Sequence, residues 1–125
     1  TLRGAEVPSE ESLTAEVARG VGPLPIHALG PRAGLIKGGN FPSADIIDLF
    51  YAGHRFTGFR AERVHGNSTH GTGCTFAAAL TAHLAIGRPL EEAIVLSQQY
   101  VAGAIRNAPG LGKGHGPLGH FWSLY

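Results

Sequence analysis

At His70 the apolar residues change their spacing, and that change limits the possible folds more than any other feature of the chain. Before it they come in short runs. Ala33 to Lys37 (AGLIK) is apolar, bounded by Pro31 and by Gly38-Gly39, and reads as a buried strand. Asp45 to Tyr51 carries Ile46, Ile47, Leu49, Phe50 and Tyr51 and reads as a second strand, with Gly53-His54 as the turn after it. Arg55 to Arg60 then forms the other arm of a hairpin, which Arg63 to His65 extends.

After His70, Phe76, Leu80, His83 and Leu84 fall at i, i+4, i+7 and i+8, the stripe of a buried or amphipathic helix that starts near Thr75 and ends at Gly87. Pro89 opens another helix at its first position, where proline costs least. Its stripe runs through Ile94, Val101, Ala104 and Ile105, and Pro109-Gly110 closes it. Upstream, Pro8 to Gly20 suits a helix capped by Ser9, and Ile26 to Leu29 a short helical piece after Pro23 and Pro25. The order is helix, strand, hairpin, helix, helix, which is an α/β class. A strand like AGLIK wants neighbours on both sides and helices on both faces. The chain does not supply them all, so residues 1–125 are expected to form one partial domain of a longer fold. The absence of methionine and the start at Thr1 fit that expectation.

Composition narrows the function classes. Formal net charge is +1, with no basic run or aromatic-basic interleaving, so a nucleic-acid partner is not expected. No apolar stretch reaches the length of a membrane span, and a membrane partner is not expected either. One cysteine excludes an internal disulfide and suits a reducing compartment, the cytoplasm. Gly (19 residues) and Pro (8 residues) exceed a fifth of the chain, so much of it is turns and tight approaches.

The segment that carries chemistry is Ser68-Thr69-His70-Gly71-Thr72-Gly73-Cys74. Its paired glycines let the backbone turn sharply and approach a ligand. The following helix N-terminus presents N–H groups without helical acceptors and a positive dipole end. Together they suit a phosphate, or the charge that builds during phosphoryl transfer. Spacing alone leaves an ordinary glycine-rich helix start equally open. A thiol at such a position can ionise and act as a base, or Cys74 can simply pack as an inert buried cysteine.

At these residues the chain resembles the hydroxymethylpyrimidine/phosphomethylpyrimidine kinase family, which shows a Thr-His-Gly-Thr-Gly-Cys-Thr segment matched here by Thr69 to Thr75. Leu29-Gly-Pro-Arg-Ala33, then Lys37-Gly38-Gly39, then Asp48-Leu-Phe-Tyr51 follow the family's order. The segment from Ala104 to Pro117, with His120-Phe121 after it, is similar to the family's C-terminal signature. The resemblance runs from Ile26 to Phe121 and is loose over the first 25 residues. It implies the C-terminal half of a ribokinase-like three-layer α/β/α fold and an ATP- and Mg2+-dependent kinase. The substrate would be 4-amino-5-hydroxymethyl-2-methylpyrimidine and then its monophosphate, in thiamine biosynthesis. Gly71, Thr72, Gly73 and Cys74 would form the anion hole, with Cys74 as catalytic base. Lys37, Gly38, Gly39 and Thr69 would contact ATP, and Lys37 would neutralise phosphate charge. The complete family member would be a homodimer, and this segment alone would be inactive.

Several positions depart from the family's pattern. Ser68 stands where Asn usually precedes Thr-His, Asn40 where His follows Lys-Gly-Gly, and Gln98 where many relatives carry lysine. Other readings stand beside the kinase. A pyridoxal-type kinase makes similar ring demands, a non-catalytic nucleotide- or phosphate-binding module needs only the anion site, and a thiol hydrolase would need a histidine partner for Cys74. Of the remaining polar residues, His70 is expected to orient its loop and His83 to be a core histidine. His115 and His120 lack metal-ligand spacing, and no metal site is expected. Lys113, Asp45 and Asp48 read as surface residues, and Phe121 and Trp122 as anchors of the C-terminus.

Overall fold

A computed structural model describes residues 30–39, 44–52 and 55–124. The helices expected over 8–20 and 26–29, Asn40 and the Gly53-His54 turn lie outside the described residues. The chain divides into two compact units, Thr1–Arg63 and Val64–Tyr125.

The first unit holds a three-stranded antiparallel sheet in the order β1 (Ala33–Ile36), β2 (Asp45–Ala52), β3 (Arg55–Glu62). The register pairs Leu35 with Phe50 on one side of β2 and Leu49 with Gly58 on the other. The hairpin forms from the two expected runs, β2 and β3. The expected extension stops at Glu62, with only the Arg63 amide continuing the ladder to the Ala44 carbonyl at 3.1 Å. Four consecutive residues of β2, Asp48 to Tyr51, are buried, so both faces of the central strand are covered. Leu49 packs with Ile47 and Phe56, and the Tyr51 and Phe56 rings sit 4.7 Å apart across the ladder. Such cross-strand aromatic pairs add roughly 0.2–1 kcal/mol each.

The second unit holds α1 (Thr72–Ala85), α2 (Leu90–Arg106) and a short 3-10 turn (Trp122–Leu124). Helix α1 begins at Thr72, three residues earlier than the stripe suggests, because Gly71 takes the left-handed backbone (φ 85°) that turns the chain into the helix. It ends on Gly87, also left-handed, where the Gly87 amide bonds the Leu84 carbonyl and the Arg88 amide the His83 carbonyl. That pair of bonds is a Schellman cap, and it satisfies carbonyls the last turn leaves open. Pro89 is the N-cap of α2 rather than its first helical residue, and its carbonyl accepts the Ala93 amide at 2.8 Å. Glu91 and Glu92 sit in the first turn, where the dipole favours them.

The α2 stripe buries Ala93, Ile94, Ser97, Gly103 and Ala104. On α1, Phe76 is buried, but Leu84 is exposed at the helix end. The C-terminal segment docks on α2 through three hydrogen bonds. The Gly119 amide donates to the Ala104 carbonyl at 2.9 Å, Tyr100 Oη to the His120 carbonyl at 2.6 Å, and Trp122 Nε1 to the Tyr100 carbonyl at 3.2 Å. Trp122 therefore anchors the segment as expected. Phe121 does not, being 65% exposed.

Candidate active site

The first helical hydrogen bond of α1 runs from the Thr75 amide to the Gly71 carbonyl at 2.9 Å. The amides of Thr72, Gly73 and Cys74 precede it and have no acceptor within the helix. No side chain caps this end. All four residues of the expected anion hole thus lie in one turn at a helix N-terminus. Thr72, Gly73 and Cys74 belong to the helix itself, not to a loop before it. A Cβ placed on Gly73 would meet nothing within 4 Å, so the helix start is open on that side. Cys74 is exposed.

Beside this turn lies a cavity of about 710 Å³. Along α1 it is walled by Cys74, Ala78 and Ala82, at i, i+4 and i+8, together with Thr75, Ala79 and His83, and His70 and Gly71 line it before the helix. Tyr100 of α2 and Pro117, Leu118 and His120 of the C-terminal segment complete it. His83 is therefore half-buried at a cavity wall, not enclosed in a core as the stripe suggested. The cavity exists because Cys and Ala occupy positions where longer side chains would fill it. A mostly apolar hollow beside a helix N-terminus can take a flat ring and hold an attached anion.

Two segments far apart in sequence meet just before the start of α1. Thr69 Oγ1 lies 3.3 Å from His115 Nδ1. A Cβ on Gly116 would fall 2.8 Å from both the buried Ser68 Oγ and the Leu111 carbonyl oxygen. Glycine is required there by close approach, so the glycine-rich tail is a fitted piece of the site's wall. The sequence reading treated His115 only as a metal candidate and missed this docking. Its one available signal was the spacing of glycines from Gly110 to Gly116.

In the first unit, Lys37, Gly38 and Gly39 follow β1. Asp48, expected at the surface, is fully buried on β2 at 0% exposure. Its Oδ2 pairs with Lys37 Nζ, and its Oδ1 accepts the Gly38 amide at 2.9 Å. A carboxylate leaves water only when its oxygens find partners, and these supply them. A Cβ on Gly38 would lie 1.9 Å from the Ile47 carbonyl oxygen, so this glycine is required by close contact with β2. Asp45 is half-buried and bonded to Arg60 at 2.9 Å. Lys113 is exposed, as expected, and Gln98 is half-buried on α2. Among the described residues no three His, Cys, Asp or Glu side chains gather as metal ligands, and both Asp48 oxygens are engaged. No helix among the described residues is long and apolar enough to cross a membrane.

With this geometry in place, three comparisons bear on what the chain is. The family model described as phosphomethylpyrimidine kinase matches residues 10–119. The thiamine biosynthesis bifunctional protein ThiED of Geobacter sulfurreducens is 43% identical over 95% of this chain and 23% of its own length. A hydroxymethylpyrimidine/phosphomethylpyrimidine kinase of Staphylococcus aureus is 37% identical over 96% of this chain and 42% of its own. Among solved structures, the Staphylococcus aureus pyridoxal kinase in complex with AMP-PCP superposes with a TM-score of 0.74 at 32% identity, covering 92% of this chain and 40% of that one. The chain thus spans less than half the length of these relatives. Its strands and helices are part of the α/β fold of the ribokinase-like kinases. The matched residues run through both units, the Lys-Gly-Gly turn and the glycine-flanked helix start alike, and on that extent of agreement the chain belongs to the phosphomethylpyrimidine kinase family.

Proposed function

We propose that this chain carries the anion hole and part of the ATP site of a kinase that phosphorylates 4-amino-5-hydroxymethyl-2-methylpyrimidine and then its monophosphate, in thiamine biosynthesis. One observation supports this above the others. The open amides of Thr72, Gly73 and Cys74 share a helix start with an exposed thiol, and both adjoin a ring-sized cavity. The chain is taken as one portion of the complete enzyme, which supplies the rest of the pyrimidine pocket.

In this reaction the hydroxymethyl oxygen bonds to the γ-phosphorus of ATP while the bond from that phosphorus to the β–γ bridging oxygen breaks. ADP departs with the electron pair, and the hydroxyl proton passes to Cys74 Sγ as thiolate. The helix-start amides hold the transferring oxygens, and such fixed donors act where charge develops. In the second transfer an ionised phosphate oxygen attacks and needs no base. Lys37, Gly38, Gly39 and Thr69 are assigned to the nucleotide. Mg2+ carried by ATP would supply charge neutralisation at the transferring phosphates. ATP use and the free exposed thiol support a cytoplasmic setting.

The test is an assay of ATP-dependent phosphorylation of the pyrimidine by the complete protein, with and without Cys74→Ala. The first transfer is expected to fall about 10²–10⁴-fold in kcat, the usual range for losing a general base. The second transfer should fall far less. Equal rates for wild type and variant in the first transfer would end the catalytic role of Cys74. A second reading has its own support, since a matched solved structure is a pyridoxal kinase. Running pyridoxal as acceptor in the same assay separates the two. ATP binding without transfer to either acceptor would leave a nucleotide-binding module.

A further inference from the structure

One face of α2 carries the segment that walls the cavity. Tyr100, Gly103 and Ala104 stand on it at i, i+3 and i+4, and Asn107 caps the helix at i+7. Tyr100 Oη donates to the His120 carbonyl at 2.6 Å, and the Tyr100 carbonyl accepts from Trp122 Nε1 at 3.2 Å. The Trp122 ring lies 6.2 Å from the Tyr100 ring and so near Gly103 that no side chain fits between them. The Gly119 amide bonds the Ala104 carbonyl, and a Cβ on Gly119 would clash with the Asn107 carbonyl oxygen. Of these four α2 residues Tyr100 alone lines the cavity, where it meets Pro117, Leu118 and His120 of the docked segment. Trp122 is not among the described residues that line it.

We propose that Tyr100 and Trp122 are positioning residues that hold the Pro117–His120 wall in place for the ring of the acceptor. The inference rests on the reading of this cavity as the acceptor's, made above. Residues 108–121 form no helix or strand, so they have no ladder of their own to keep them in place. Leu118 is buried, but Pro117 and His120 are exposed, and burial does little to fix them. Their place therefore depends on the bonds to α2. A wall already in place costs no ordering when a ring arrives, whereas a loosened wall must be ordered at the expense of binding. The loss then appears in KM for the acceptor. Neither side chain is assigned to the reacting atoms, so kcat stays level, the pattern of lost uniform binding.

The test uses the complete enzyme and reads KM for the acceptor, KM for ATP and kcat separately. Tyr100→Phe keeps the ring and removes the bond to His120. It is expected to raise KM for the acceptor about fivefold, the scale of one neutral hydrogen bond, with KM for ATP and kcat level. Trp122→Phe removes the bond to the Tyr100 carbonyl from outside the cavity and should act in the same direction. A lower thermal midpoint would accompany any structural role, so the split between the two KM values carries the test. Ala78→Leu is the reference, since Ala78 lines the cavity and is exposed on α1. Its longer side chain enters the space and should raise KM for the acceptor directly. If Ala78→Leu raises that KM while Tyr100→Phe and Trp122→Phe do not, the positioning role is refuted and the cavity assignment survives. A rise in Tyr100→Phe without one in Trp122→Phe would also refute it, by showing direct contact of the hydroxyl with the acceptor. Equal rises in both KM values would show general loosening and refute it too. If Ala78→Leu leaves KM for the acceptor unchanged in an active enzyme, the cavity assignment fails first and the inference with it. Should Tyr100→Phe fail to fold, Trp122→Phe decides the matter by the same readings.

Discussion

Gly73 separates what the fold needs from what the reaction needs. It is the second residue of α1, with helical backbone that any L residue adopts, and a Cβ there would touch nothing within 4 Å. The free protein therefore has no reason to keep glycine. Alanine is the better helix former by about 1 kcal/mol in a helix interior, so Gly73→Ala should leave stability level or raise it by less than that. Gly71 is the control, since its φ of 85° is costly for any residue with a Cβ. Gly71→Ala should lower stability by about 1–2 kcal/mol. If the transferring phosphoryl group lies against this open side of the helix start, the added methyl enters its space. The loss then resembles removal of one oxyanion donor, about 10²–10³-fold in kcat. Urea denaturation and the kinase assay on the complete protein measure both sides. A Gly73→Ala enzyme of full stability and unchanged rate would refute the placing of the phosphoryl group against that side of the helix start. A variant that lost stability would instead show that the open space is filled in the folded protein.

Two further substitutions test packing. Gly103→Ala sits inside α2, where alanine should help by about 1 kcal/mol, yet its Cβ would fall 2.3 Å from the Trp122 ring. Overpacking of this kind costs about 1–3 kcal/mol, so the expected sign is destabilising, read by thermal or urea unfolding, and a stabilised variant would mean that Trp122 does not dock there. Gly38→Ala places a Cβ 1.9 Å from a backbone oxygen that cannot rotate away. The expected loss is about 3 kcal/mol or more, and an unchanged unfolding midpoint would contradict the close approach of the turn to β2.

The elements legible in the sequence were those marked by burial. The strands were written in short apolar runs bounded by turn residues, and both helices in their stripes, because burial imposes those patterns. Their ends were less legible. Helix α1 starts at Thr72 because of a backbone angle at Gly71, which no apolar spacing encodes. Asp48 was misread because a carboxylate in a strand usually faces water. Its burial depends on Lys37, eleven residues earlier, curling back to meet it, and on the Gly38 amide beside that lysine. Partners of this kind are long-range facts, invisible to a window along the chain. The same holds for Thr69 and His115, 46 residues apart, which the glycine-rich tail brings together.

The cavity extends this argument from charges to volume. Apolar spacing on α1 points to Phe76 and Leu80, and Phe76 is indeed buried. Apart from His83, the surface of α1 that builds the candidate site is Cys74, Thr75, Ala78, Ala79 and Ala82, and it is marked by small side chains rather than by large ones. A search for hydrophobic stripes passes over it, since alanine adds little to any stripe. Yet short side chains at i, i+4 and i+8 along a helix leave a trough that its neighbours must either fill or border. Here Tyr100 and Leu118 border it, held by the hydrogen bonds that dock the C-terminal segment on α2. The trough runs from the open amides at the helix start, so ring and anion can be received by consecutive turns of one rigid element. Precision at the site then depends on a helix and its docked tail instead of on loops, which is what holding a reacting group within a fraction of an ångström demands.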